Sequence, residues 1–210
     1  MNILAIEGVD GSGKSTICQK LYERLSTLYP YLKIQKYSEP YFLKEYIYST
    51  PIQQGTHLLL LFLTSRKMLL SNILSNFQNQ KPDIILMDRY IDSTLVYQVL
   101  LQKAIDFETF TQIHQKIIFD NLDLYPSLTF ILEADPEDIK ERIRQKNHKK
   151  MFDTYQPEQI MQLYRLLPLI IPDRLFFFFN TSRLSVDEVI SKMIKIIVDK
   201  IILVYKGVGE

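Results

Sequence analysis

Gly8-Val9-Asp10-Gly11-Ser12-Gly13-Lys14-Ser15 satisfies the spacing G-x4-G-K-S/T in full. Glycines at these places let consecutive backbone N–H groups turn inward around an anion, and the helix that follows presents its unpaired donors to the same point. Lys14 is the cation for the β- and γ-phosphates of a nucleotide, and the Ser15 hydroxyl is a ligand for Mg²⁺. Gly8, Val9, Asp10, Gly11, Ser12, Gly13, Lys14, Ser15 and Thr16 are therefore the candidate triphosphate-binding residues. The plainer alternative is a glycine-rich turn that only joins strand to helix. The context favours the binding loop: an apolar strand, Ile3 to Ile6, precedes it, and a helical pattern (Ile17, Leu21, Leu25, Leu28) follows.

A second cluster begins at Asp88-Arg89-Tyr90. A carboxylate at a strand end beside such a loop can hold Mg²⁺ directly or through water, so Asp88 joins Ser15 as a metal candidate. Arg89 offers a planar fork of donors that fits phosphate oxygens in pairs. An aspartate capping a helix beside a surface arginine is the competing explanation.

The elements that must position these groups alternate. Strands are expected at Asn2–Glu7, Leu32–Ser38, Ile84–Met87, Leu128–Glu133 and Leu175–Asn180. Helices are expected over 15–29, 43–49, 54–79, 91–101, 107–120, 135–146, 158–171 and 186–203. Short apolar strands separated by helices predict an α/β fold, a five-stranded parallel sheet flanked by helices, with ligands at the carboxyl ends of its strands. The chain, 1–210, reads as a single domain with a basic lid around 142–156.

A net charge of +1 gives no reason to expect a nucleic-acid or membrane-surface partner. Cys18 is the only cysteine, which excludes an internal disulfide and fits a reducing compartment. The chain starts directly in a strand without a basic leader, and the apolar run Leu58–Leu63 breaks at Thr64-Ser65-Arg66-Lys67, short of a membrane span of about 20 residues. A cytoplasmic protein is expected. The helix 54–79 is apolar on more than one face, which predicts burial on several sides and a homodimer seam.

Asp88-Arg89-Tyr90-x-x-Ser93-x-x-Val96-Tyr97-Gln98 closely resembles the D-R-Y-x-x-S-x-x-A-Y-Q signature of thymidylate kinases. The loop from Glu7 to Ser15 is similar to the family's E-G-V/I/L-D/E-G-x-G-K-S/T. Phe62-x-x-x-Arg66 resembles its F-x-x-x-R pair, and Pro126-Ser127-Leu128-Thr129 through Asp135, Arg142 and Arg144 looks like its strand, helix and basic lid. The resemblance covers about Ile3 to Arg144 and implies a P-loop nucleotide kinase architecture. It also implies transfer of the ATP γ-phosphate to dTMP with Mg²⁺, giving dTDP and ADP.

By the same resemblance, Phe62 stacks on the thymine and Arg66 donates to a base carbonyl. Arg89 clamps the dTMP phosphate, and Asp10 contacts the sugar 3′-hydroxyl. Tyr97 fills the space of a 2′-hydroxyl, while Thr94 and Gln98 line the same helix face. The catalytic set is Lys14, Asp88, Arg89, Arg142 and Arg144. The chain departs from the family in two places. Ser38-Glu39-Pro40-Tyr41 stands where R-E-P-G-G or P-E-R is common, so an acceptor-side arginine is absent and Lys44 is the candidate to replace it. Gly11 stands where one branch carries a loop arginine, which assigns the transition-state charge to the lid: Arg142, Arg144, Lys146, Lys149 or Lys150. The lid pattern D-R-I/F/Y-E is Asp153-Thr154-Tyr155-Gln156 here, without its arginine. Another nucleotide or deoxynucleoside kinase, or a catalytically weak nucleotide-binding protein, remains an alternative.

Overall fold

The computed structural model describes residues 1–49, 55–76, 81–145 and 155–203. Five strands form one parallel sheet: β1 (Asn2–Gly8), β2 (Ile34–Ser38), β3 (Ile84–Asp88), β4 (Leu128–Glu133) and β5 (Phe176–Asn180), in the order β2-β3-β1-β4-β5. The helices are α1 (Lys14–Leu28), α2 (Lys44–Ser49), α3 (Gly55–Ser75), α4 (Ile91–Thr94, continuing as π-helical turns Leu95–Leu101) and α5 (Phe107–Ile113, continuing as His114–Ile118). They are followed by α6 (Pro136–Gln145), α7 (Pro157–Ile170) and α8 (Val186–Ile197, continuing as Val198–Ile202). The ends expected for the long helix, Gln54 and Asn79, lie outside the described residues, as do lid residues Lys146, Lys149, Lys150, Asp153 and Thr154.

The period-two geometry of a strand explains how both faces are covered. Ile3 and Ala5 of β1 pack with Ile85 and Met87 of β3 into one core, under α3, α4, α5 and α7. Leu4 and Ile6 pack with Leu86, Leu128 and Phe130 into the other, under α1 and α8. Register then aligns the carboxyl ends. Ile6 and Ser38 both pair with Asp88, and Gly8 pairs with Leu132.

α3 is long and apolar enough to cross a membrane by length and composition. Its midpoint argues for a core helix instead, since Ser65 and Arg66 are buried there with Leu63 and Leu69. The burial is one-sided. Leu60, Thr64 and Met68, spaced by one turn, remain exposed along the outer face.

Candidate active site

Gly8 leaves the sheet with φ +133°, and a Cβ there would sit 2.2 Å from the Leu132 carbonyl oxygen. Only glycine lets the chain turn so close to β4. The loop is then closed by Ser12, whose N–H (3.3 Å) and Oγ (2.8 Å) both donate to the Val9 carbonyl. Lys14 is buried and folds back over the loop, donating from Nζ to the same carbonyl at 2.6 Å. Its ammonium is pushed down to about 7, first by burial and then by the Arg89 charge.

Arg89, the residue after β3, has φ +67°, a left-handed conformation that costs a residue with a Cβ energy. Neighbouring backbone bonds hold it there. Arg89 N–H donates to Ile6 O (3.0 Å), and Tyr90 N–H donates to Glu7 Oε1 (2.7 Å). The guanidinium is aimed back at the loop. Nη2 meets Asp10 Oδ1 at 2.5 Å, and Nη1 donates to Ser93 Oγ (2.9 Å) and Gly8 O (3.3 Å). The Arg89 guanidinium carbon stands 5.8 Å from the Tyr97 ring centre.

Glu7 is the bracket for this arrangement, and sequence reasoning did not single it out. It is fully buried and accepts from Tyr90 N–H, Ser93 N–H, Ser93 Oγ (2.6 Å) and Tyr164 Oη (3.3 Å). A carboxylate closing an otherwise apolar strand was the available signal. Burial, with the Asp92 charge adding, pushes Glu7 up to about 7. A folded-state pKa above the usual value means that the native state holds the proton more tightly than the unfolded chain. Stability should therefore fall as pH rises from about 4.5 to about 7. Across that window the wild type is expected to lose on the order of 3 kcal/mol more unfolding free energy than Glu7→Gln, read by thermal unfolding at a series of pH values. Parallel curves would refute the assignment.

Asp10, Lys14, Ser15, Asp88 and Arg89 line one cleft of about 460 Å³, together with Lys36, Glu39, Tyr41 and Lys44. The Ser15 hydroxyl and the Asp88 carboxylate are hard oxygen donors on the same wall as Lys14. That set fits Mg²⁺, which takes few protein ligands and completes its shell with phosphate and water. Lys44 and also Lys36, which sequence reasoning passed over, stand on the side where the family arginine is missing. Lys36 Nζ is held at 2.5 Å by Gln19 Oε1.

A second cavity, about 290 Å³, opens on the other side of the loop, lined by Thr16, Arg142, Gln145, Thr181 and Val186. Arg142 is fixed there, donating to Thr181 Oγ1 (2.9 Å), Thr181 O (3.0 Å) and Gly11 O (3.3 Å). Arg144, two residues along α6, lies across the helix, exposed and lining a third cavity with Asp10, Tyr97 and Tyr155. Arg142 and Arg144 thus line different cavities beside the loop. Gly11 lies against α6. A Cβ there would lie 3.1 Å from the Ile139 carbonyl and 3.3 Å from Ile143, on a backbone with φ +83°. A side chain there would crowd α6 and sit on a strained backbone.

Arg66 is placed differently from a surface base-reader. It is wholly buried. Nε and Nη2 grip Glu39 (2.7 and 2.5 Å), Nη2 also donates to Thr94 Oγ1 (2.8 Å) and Tyr90 O (3.2 Å), and Nη1 meets His114 Nε2 at 2.8 Å. Phe62, one turn earlier, is only half-buried, so the pair does not share an exposed face. Gln98 is buried on α4, its amide 3.5 Å from Gln102 Oε1.

A protein-family model described as thymidylate kinase matches residues 6–193. A probable thymidylate kinase of Sulfolobus acidocaldarius is 37% identical over 163 residues, 73% of this chain and 74% of that protein. A thymidylate kinase of Staphylococcus haemolyticus is 28% identical, over 93% of this chain and 97% of its own. The crystal structure of thymidylate kinase from Ehrlichia chaffeensis superposes with a TM-score of 0.68 at 24% identity, covering 93% of this chain and 98% of that one, which supports the fold. An anion loop and the half-buried Arg89 bonded to it line one cleft, a layout that suits a kinase whose acceptor is itself a phosphate. With the family model spanning both, the chain belongs to the thymidylate kinase family of nucleoside monophosphate kinases.

Proposed function

We propose that the protein transfers the γ-phosphoryl group of ATP to the 5′-phosphate of dTMP, giving dTDP and ADP. The observation that carries this reading is the position of Arg89. It lines the same cleft as Lys14, and the two cations approach one oxygen of the loop's own Asp10, Arg89 at 2.5 Å and Lys14 at 3.8 Å. Phosphoryl transfer asks for in-line placement and charge neutralisation rather than covalent help. The loop amides and Lys14 hold the donor phosphates, and Arg89, with Lys36 and Lys44, holds the acceptor phosphate. Ser15 and Asp88 hold Mg²⁺, which neutralises phosphate charge when bound. No general base is needed, because the acceptor oxygen is already anionic.

The adenine side is the cavity walled by Thr181, Gln145 and the fixed Arg142. Arg144, exposed, paired only with Glu141 on its own helix and lining a cavity with Asp10 and Tyr97, is the lid cation that reaches the transferring group. Phe62 and the remaining N–H of Arg66 serve the thymine, with Tyr97, Thr94 and Gln98 behind the sugar and base. The chain works as one catalytic unit in the cytoplasm, without nucleic acid or membrane, and pairs through the exposed Leu60–Met68 stripe of α3 as a homodimer. Sedimentation velocity reads the last point directly.

A coupled assay with Mg-ATP and dTMP, dUMP, UMP, AMP or thymidine tests the substrate assignment. The expected result is turnover of dTMP at least about tenfold above AMP and thymidine in kcat/KM. Preference for AMP or thymidine would overturn it. Binding of both ATP and dTMP without product would favour a nucleotide-binding protein instead.

A further inference from the structure

His114 is buried on α5 and takes no part in the chemistry above. Its partners define its protonation. An arginine only donates, so Nε2, 2.8 Å from Arg66 Nη1, must accept, and the ring proton sits on Nδ1, directed to the Phe110 carbonyl at 2.9 Å. Burial and the Arg66 charge push the imidazolium down to about 3, in keeping with a neutral ring.

Counting donors shows what this does to Arg66. Glu39 takes Nε–H and one Nη2–H, and Thr94 with the Tyr90 carbonyl takes the other Nη2–H. His114 takes one Nη1–H, and a single Nη1–H has no acceptor among the described residues. We propose that His114 is a positioning residue for base recognition: by accepting one N–H of Arg66, it leaves one donor, in one direction, for the acceptor's nucleobase. The inference rests on the assignment of Arg66 to the base. A lone N–H donates to a ring carbonyl, as thymine presents, and finds no acceptor in an exocyclic amino group, as cytosine presents. Without the imidazole, two buried N–H groups lack acceptors, and the guanidinium turns to satisfy them.

The test compares His114→Leu, which removes the acceptor, with His114→Gln, whose amide oxygen reaches the Nε2 position. In the leucine variant the KM for dTMP should rise about tenfold and the dTMP-to-dCMP ratio of kcat/KM should fall by a similar factor. The KM for ATP should stay within about twofold, and the glutamine variant should recover most of the loss. If the leucine variant does not fold, His114→Asn serves, since its shorter amide occupies the Nδ1 position and misses Arg66. An unchanged dTMP KM and base ratio, or parallel losses for dTMP and ATP, or equal losses in both variants, would overturn the inference alone. A wild-type protein that does not phosphorylate dTMP would overturn the functional reading and this inference with it.

Discussion

Lys14→Ala should lower kcat by about a thousandfold, the cost of removing one preorganised charge from a desolvated phosphoryl-transfer site. Lys14 is the buried cation of the loop, and no neighbouring residue can replace it. Arg89 is turned to Asp10, and the Arg142 guanidinium is tied to Thr181 and Gly11. Affinity for dTMP, measured by calorimetry, should change by less than about threefold, because the acceptor contacts do not pass through Lys14. Folding should not suffer either. A lysine whose pKa is depressed in the native state makes the fold less stable at neutral pH than an unshifted lysine would, so the alanine protein should melt at the same temperature or higher. A kcat within about tenfold of wild type would remove Lys14 from the donor site.

Arg66→Ala should chiefly damage stability. The substitution leaves Glu39 buried without its cation and strips an interaction from Thr94 and His114, a change that costs about 3–5 kcal/mol when one member of a buried pair is deleted. Urea unfolding reads this directly. Arg66→Lys should recover only part, since one ammonium cannot reproduce the paired grip on both Glu39 oxygens. Arg66→Met combined with Glu39→Leu should recover more stability than either change alone, because two apolar groups leave no charge unpaired. A loss below about 1 kcal/mol in the alanine variant would contradict the buried-pair reading. Any effect of Arg66→Ala on base choice has to be judged after that loss.

The strands were legible because both faces of a parallel sheet are buried. β4 is expected and found at Leu128–Glu133, and most helix ends differ by one or two residues where turns fray, while α3 ends at Ser75 against the expected Asn79. The π-helical turns after Thr94 and Ile113 left no trace in the sequence, since widening a turn by one residue changes neither composition nor the apolar face. The loop and Asp88-Arg89 were readable because their chemistry is local. Arg66 was not. Its spacing from Phe62 placed both on one helix face, but its direction is decided by Glu39 and His114, which are far away in the chain. The cavity wall at Thr181 was hidden for a related reason. A polar residue past a strand end is ordinary, and only the bonds from Arg142 single it out.

The pair between Asp10 and Arg89 also bears on which molecules gain admission. Until an acceptor arrives, the arginine is occupied by a carboxylate of the protein itself, at 2.5 Å and with one negative charge. A nucleoside lacking a phosphate offers the guanidinium less than it already has, so it cannot open the site. If Arg89 holds the acceptor phosphate as proposed, a monophosphate, carrying close to two charges and three acceptor oxygens, would displace the carboxylate and release Asp10. On that assignment the loop's own acid would set a charge threshold, so discrimination against unphosphorylated nucleosides would begin before the base is inspected.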